Sequence, residues 1–388
     1  MLKAIYNAKI VTDGTILPGH AVVFSSRIEA VVPETELSSY QPAELIDAQG
    51  RYVAPGFIDI HIHGCDGADA MDSSGDALAR MSRSLPRTGV TAFLPATMTM
   101  SFDRVEEALQ RIRTAMGTAG GAEVLGCHME GPFISENYRG AQDKRHILTP
   151  DFAKIEKFVD VIKIATIAPE LPGSLEFIRR ATARGIVVSI GHSAATYDEA
   201  MAAIQAGASH VTHTFNALAG MNHRQPGVIG ALADHDDVTC ELIADNVHVH
   251  PAAQRLLLKL KGPERMVLIT DAMRAGLMPE GRYDLGGQPV TVKNGEARLA
   301  NGALAGSVLT LSRAAANFRA TSGLPLPKVI ELVSANPARR IGVADRKGSI
   351  TAGKDADLVL FDDCLTIYAT FSHGRMVYRG YPDADYNC

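Results

Sequence analysis

The stretch Met266-Val267-Leu268-Ile269-Thr270-Asp271 decides how the chain is read. It is a short apolar run that stops at a carboxylate. A continuous apolar run bounded by polar residues predicts a strand buried on both faces, as in parallel sheets covered by helices. Asp271 then falls at the C-terminal end of its strand, where parallel α/β folds gather their chemistry.

Other runs follow the same rule. Val124 to Glu130, Ile186 to His192, His210 to His213 and Cys240 to Asp245 each close on a carboxylate or an imidazole. Helical spacing separates them. Asp103 to Thr114 places Val105, Ala108, Leu109 and Ile112 on one face. Ser174 to Arg184 ends at Gly185, Tyr197 to Ala206 ends at Gly207, and Pro251 to Leu260 precedes the Asp271 strand. Thr149-Pro150 reads as the N-cap and first residue of another helix, and Val308 to about Ala320 as a further one. Runs starting near Phe57, Val90, Val124, Val161, Ile186, His210, Cys240 and Met266 number eight. Eight strand–helix units predict an α/β fold with a (β/α)8 TIM-like barrel over residues 53–343.

The two ends read differently. Lys3 to Val11, Ala21 to Phe24, Arg27 to Val32 and Glu44 to Asp47 are short strands with turn chemistry at Asp13-Gly14, Pro18-Gly19 and Ser25-Ser26. Asp357 to Phe361, Leu365 to Phe371 and Met376 to Arg379 repeat that character near the C-terminus. Residues 1–52 and 344–388 are therefore expected to pair into one small β-sandwich domain beside the barrel.

Bulk composition narrows the function classes. The 388 residues carry a net charge of −5, with 46% hydrophobic and 21% charged residues. That balance points to a globular protein with neither nucleic acid nor an anionic membrane surface as partner. No apolar run approaches the ~18 residues of a membrane span, and the N-terminus lacks a signal-peptide core. Cys65, Cys127, Cys240, Cys364 and Cys388 are scattered, form no CxxC, and read as reduced thiols of a cytoplasmic protein.

The chemistry sits at the strand ends. In Asp59-Ile60-His61-Ile62-His63 the alternation of a strand sends both imidazoles to one side, a pairing suited to a metal ion. Glu130, His192 and His213 also end their runs, and a barrel brings distant strand ends to one mouth. Two imidazoles and a carboxylate suit Zn²⁺ or Fe²⁺ and leave a position for water. Asp271 reads as a further ligand, a helix cap or a proton-transferring base. His128 is read as packed and not ligating, His20, His146, His235 and His373 as solvent-facing, and His223 and His250 as neighbours of Arg224 and His248.

At this point several segments carry a resemblance. Pro55-Gly56-Phe57-Ile58-Asp59-Ile60-His61-Ile62-His63-Gly64 resembles the amidohydrolase superfamily. His128-Met129-Glu130-Gly131-Pro132-Phe133, Gly191-His192-Ser193, His213-Thr214-Phe215-Asn216-Ala217 and Ile269-Thr270-Asp271-Ala272-Met273 are similar, in that order, to the family of N-acetylglucosamine-6-phosphate deacetylases. The resemblance covers essentially the whole chain. It implies that Glu130, His192 and His213 bind the principal divalent metal. It implies a second ion on His61 and His63, with Glu130 between the two, so one or two ions per subunit. Asp271 becomes the catalytic base and then acid. Asn216, Ala217 and Arg224 match positions that hold a sugar phosphate, Arg224 reaching it from a neighbouring subunit of a homodimer. His248 matches a substrate-binding position, Leu304, Ala305 and Gly306 a loop lining the pocket, and Ala141 and Gln142 a substrate-contact pair. Some members carry His where this chain has Gln142.

The implied reaction is removal of the acetyl group from N-acetylglucosamine 6-phosphate. N-acetylgalactosamine 6-phosphate is the alternative substrate, because the same segments occur in enzymes acting on it. A cyclic amidase of the dihydroorotase or hydantoinase type is a different class, and such enzymes commonly bridge their metals with a carboxylated lysine. A non-catalytic scaffold would have lost ligands, and this chain has all the expected ones.

Overall fold

The computed structural model describes residues 1–117 and 120–380. Met266–Ile269 is a strand with all four residues buried. It forms one edge of a six-stranded parallel sheet, in the order Cys127–Glu130, Ile162–Ile167, Val187–Ile190, His210–Val211, Thr239–Ile243 and Met266–Ile269. A three-stranded parallel sheet holds Glu123–Val124, Val90–Pro95 and Phe57–Ile62. The two sheets curl toward each other at both edges. Ala96 bridges His128 in parallel at one edge. At the other, the Asp271 N–H donates to His61 O at 2.9 Å and the His63 N–H to Ala272 O at 2.9 Å.

Helices cover the outside, and their ends follow capping chemistry. Tyr197–Ala206 opens on a capping box in which Thr196 and Glu199 exchange side-chain and backbone bonds. Pro251–Lys261 has proline at its first position and His250 as N-cap, accepting from the Ala252 N–H. The helix expected at Thr149-Pro150 instead starts at Phe152, capped by Asp151, and is one turn long. That expected from Val308 starts at Leu311, because Thr310 is the better cap and accepts from the Arg313 N–H.

The two chain ends meet in one eight-stranded mixed sheet. Tyr52–Pro55 runs parallel to Lys9–Ile10 and antiparallel to Leu358–Phe361, so N-terminal and C-terminal strands are joined edge to edge. Where a sandwich of two sheets was expected, there is a single sheet rolled over a core of its own. Phe24 and Phe371, on strands that are not neighbours, meet edge to face with centroids 5.6 Å apart. Pro18-Gly19, read as a turn, lies inside the strand Thr15–Phe24, opposite a register shift at Ala8. His373, read as solvent-facing, is half-buried beside Glu123, with Nε2 3.1 Å from Oε2. His20, His146 and His235 are likewise partly covered. Cys65, Cys127 and Cys240 are buried free thiols. Cys364 is disulfide-bonded, a departure from the five reduced thiols expected, and Cys388 lies outside the described residues.

Candidate metal centre and active site

The C-terminal ends of the parallel strands surround a cavity of about 230 Å³. Glu130 is at its centre, the last residue of its strand and only 2% exposed. Its Oε1 lies 3.0 Å from His192 Nε2 and 3.0 Å from His213 Nε2, and those two nitrogens are 3.1 Å apart. His61 Nε2 is 3.5 Å from the same oxygen. His63 Nε2 lies 3.3 Å from Glu130 Oε2 and 3.2 Å from Asp271 Oδ1. Gln142 donates from Nε2 to Glu130 Oε2 at 2.7 Å and accepts from the Thr99 N–H at 2.6 Å.

The tautomers follow from the other ring nitrogens. His192 Nδ1 faces Tyr138 O at 2.9 Å, His213 Nδ1 faces Asn216 O at 3.1 Å, and His63 Nδ1 faces Ala96 O at 3.3 Å. His61 Nδ1 faces the Glu241 carboxylate at 2.9 Å. Carbonyl and carboxylate oxygens only accept, so each Nδ1 carries the proton and each neutral ring turns an Nε2 lone pair inward. Lone pairs converging without a proton between them call for a cation. Among the described residues the buried His61 Nε2 finds no hydrogen-bond partner, as a ligand atom would not. Two sets, His61–His63–Glu130 and Glu130–His192–His213, bring their donor atoms within 4.8 Å of one another.

The electrostatics point the same way. Burial opposes a charge on His61, yet the Glu241, Glu130 and Asp271 carboxylates push its pKa up to about 9. His63 is raised well above the usual range against burial by Asp271 and Glu130. Burial would raise Glu130, but His192 and His61 hold it well below the ordinary carboxylate range. The centre therefore favours positive charge, carried by a second ring proton on His61 and His63 in the metal-free protein and by an ion where one displaces that proton, and the residues fit a divalent ion.

Backbone geometry helps to aim the groups. His192, His213 and Asp271 have φ of 48°, 25° and 48°, a region that side-chain-bearing residues adopt at a cost of about 1–2 kcal/mol. Gly306, at φ +59°, lets its segment close on Asp271, where an added Cβ would sit 2.9 Å from Asp271 O. The Ser307 N–H donates to that carbonyl at 2.7 Å.

Of the remaining expected residues, Ala141, Gln142, Asn216, Ala217, His248, Leu304 and Gly306 line the cavity. His248 Nδ1 is held by Asp245 Oδ2 at 2.6 Å. Ala305 is fully buried behind the lining. Arg224 is exposed and away from the cavity, its Nη1 2.8 Å from His223 Nε2. His128 spends both nitrogens, on Ile60 O at 3.0 Å and Thr166 Oγ1 at 2.7 Å. Met98 and Leu285 add apolar wall that the sequence reading passed over, and Glu241 and Asp59 support the site from behind. Burial raises Asp59 to about 7, against the Thr270 hydroxyl that donates to it at 2.6 Å. A carboxylate inside an apolar run marks both acids as buried charges but does not say which groups they hold.

A strand-end constellation of this kind, on curled parallel sheets, is that of a metal-dependent hydrolase. The amidohydrolase family model matches residues 52–379, and the chain belongs to that family. It is 39% identical, over 95% of each chain, to N-acetylglucosamine-6-phosphate deacetylase of Bacillus subtilis (strain 168). It is 36% identical to N-acetylgalactosamine-6-phosphate deacetylase of Escherichia coli O157:H7, over 86% of this chain and 90% of that one. The crystal structure of N-acetylglucosamine-6-phosphate deacetylase from Pasteurella multocida superposes with a TM-score of 0.92 at 32% identity, covering 97% of this chain and 99% of the other.

Proposed function

We propose that this chain is a divalent-metal-dependent deacetylase that hydrolyses N-acetylglucosamine 6-phosphate to glucosamine 6-phosphate and acetate. The observation that carries the proposal is the convergence of four imidazole Nε2 atoms on the two oxygens of Glu130, with Asp271 at their edge. Glu130, His192 and His213 would hold the principal ion, and His61 and His63 with Glu130 a second. Zinc or ferrous iron suits these donors. Such an ion, when bound, polarises an acyl oxygen and lowers the pKa of water to about 7.

The chain's own groups do the rest. Asp271, with His63 Nε2 3.2 Å from its Oδ1, takes a proton from the attacking water. Water's oxygen adds to the acetyl carbon to give a tetrahedral adduct, and as Asp271 returns the proton to the nitrogen the adduct collapses, re-forming the carbonyl and breaking the carbon–nitrogen bond. Gln142 and His248 orient the sugar and its acetamide, and Ala141, Leu304, Ala305 and Gly306 shape the wall. Asn216 and the backbone N–H of Ala217 take the phosphate together with Arg224 of a second protomer, which presents a planar fork to phosphate oxygens.

We read the two curled sheets as one (β/α)8 barrel over residues 53–343. Glu123–Val124 and Cys127–Glu130 are then halves of one broken strand, which brings the circuit to eight. Residues 1–52 and 344–388 form the second unit, of which 381–388 lie outside the described residues. Among the described residues no helix is long and apolar enough to cross a membrane. We infer a cytoplasmic homodimer, since the phosphorylated substrate is a charged sugar that does not cross membranes unaided.

The E. coli relative keeps the galactosamine substrate as a second reading. Acetate release with the two sugar phosphates and a cyclic amide, compared by kcat/KM, tests the assignment. The gluco sugar should lead. A galacto preference would transfer the proposal to that sugar, and faster opening of the cyclic amide would reject it. Among the described residues no lysine lines the cavity, and Glu130 would take the bridging role.

A further inference from the structure

We propose that Glu241 is a positioning residue that ties the two cation positions into one unit, an inference resting on the metal reading above. Glu241 lies in the strand Thr239–Ile243, is fully buried, and does not line the cavity. One of its oxygens, Oε2, serves both halves of the centre. It lies 2.9 Å from His61 Nδ1 and accepts the backbone N–H of His213 at 3.0 Å. His61 belongs to the candidate ligand set with His63 and Glu130, and His213 to the set with Glu130 and His192; His61 also lies close to His128 and Glu241, but His128 spends both its nitrogens on Ile60 O and Thr166 Oγ1. The second oxygen, Oε1, faces His210 Nε2 at 3.3 Å, and His210 Nδ1 is 2.6 Å from Thr239 Oγ1.

A carboxylate oxygen only accepts, so Glu241 fixes the His61 proton on Nδ1 and leaves the buried Nε2 lone pair for an ion. The same oxygen fixes the His213 backbone. At φ 25° that residue is off the ordinary regions, and the bond holds the turn that brings its Nε2 to Glu130. The two duties are separable by mutation. His61 feels Glu241 through a ring nitrogen, whereas His213 feels it through the main chain, so the second effect persists when the first ring is removed.

The test is calorimetric titration of Zn²⁺ into the metal-free full-length protein, with metal-to-protein ratio as the readout. Wild type should take two ions. Glu241→Ala should lose the His61-side ion and bind the remaining one about tenfold or more weakly, the scale seen when an outer-shell partner is removed. In a His61→Ala background, Glu241→Ala should still weaken the remaining ion. Glu241→Gln, which retains an acceptor oxygen, should recover part of the affinity, and it decides the matter if the alanine variant does not fold. A residue that merely filled the core would lower Tm and leave these affinities alone. Unchanged zinc affinity in folded Glu241 variants overturns the proposal and leaves the metal centre standing. A wild type that takes one ion defeats the two-position tie, and one that takes none defeats the metal reading itself.

Discussion

Asp271 shows how much one position can hold. Its side chain keeps 12% exposure where His63 beside it keeps 3%, so it is the group of the pair that water reaches more readily. Burial raises its pKa, but His61 and His63 bring it below the usual value and keep it an acceptor. Asp271→Asn should lower kcat by about 10²–10⁴, the range for loss of a general base, while zinc content stays at the wild-type level. Near-normal kcat would remove Asp271 from proton transfer. A chelator should abolish turnover and Zn²⁺ restore it; activity that survives a verified metal-free state would refute the metal role. Glu130, His192, His213 and Asp271 were legible because each ends an apolar run, where one residue type stands out. Glu241 was not. It sits inside its run, and the groups that explain it come from residues 61, 210 and 213, which only the folded chain brings together.

Among the elements, the parallel strands and the longer helices followed from periodicity. The three-stranded antiparallel piece Gly281–Leu285, Gln288–Lys293 and Glu296–Leu299 did not, because its strands are short and half-exposed and Pro289 interrupts the pattern. Yet it roofs the cavity with Leu285, and Gln288 donates from Nε2 to Ala141 O. That bond restrains the segment carrying Gln142. Arg274 clamps the other side, donating to Asp284 O at 2.9 Å and Asp72 Oδ1 at 2.9 Å. Gln288→Ala gives up one hydrogen bond of about 1 kcal/mol, which corresponds to roughly a fivefold rise in KM for the sugar phosphate. Metal content should not change. An unaltered KM would show that the roof does not steady the Ala141–Gln142 segment.

At the scale of the whole molecule, an ion cluster joins the rolled sheet to the parallel strands. Lys347 Nζ lies 2.8 Å from Glu123, 3.2 Å from Asp355 and 2.5 Å from Asp357, and Arg346 meets Glu123 and Asp355 at 2.8 Å each. Burial raises Glu123, but His373, Arg346 and Lys347 outweigh it and hold its pKa far below the ordinary value of 4.5. A depressed folded pKa contributes stability above the unfolded value and loses it as pH falls below. Thermal melts should therefore show wild type losing stability below about pH 4.5, with Glu123→Gln less stable by about 3 kcal/mol at pH 7 and converging on wild type in acid. Parallel melting curves across that range would contradict the assignment. The proposed dimer has its own test: mixing inactive Arg224→Ala and Asp271→Asn proteins should restore activity, because hybrids contain one site with both residues intact, whereas no recovery would place Arg224 outside its partner's site. The rolled sheet was only half legible, since strand composition marks both chain ends but does not say which edges meet. Its wiring bears on synthesis. Tyr52–Pro55 leaves the ribosome some 300 residues before Leu358–Phe361, the strand that covers its free edge. Until then a wholly apolar strand has one unpaired side, an invitation to pairing with another nascent chain. Chains cut short before residue 358 should therefore be less soluble than the full chain, the consequence of a sheet whose last seam is sewn near the end of translation.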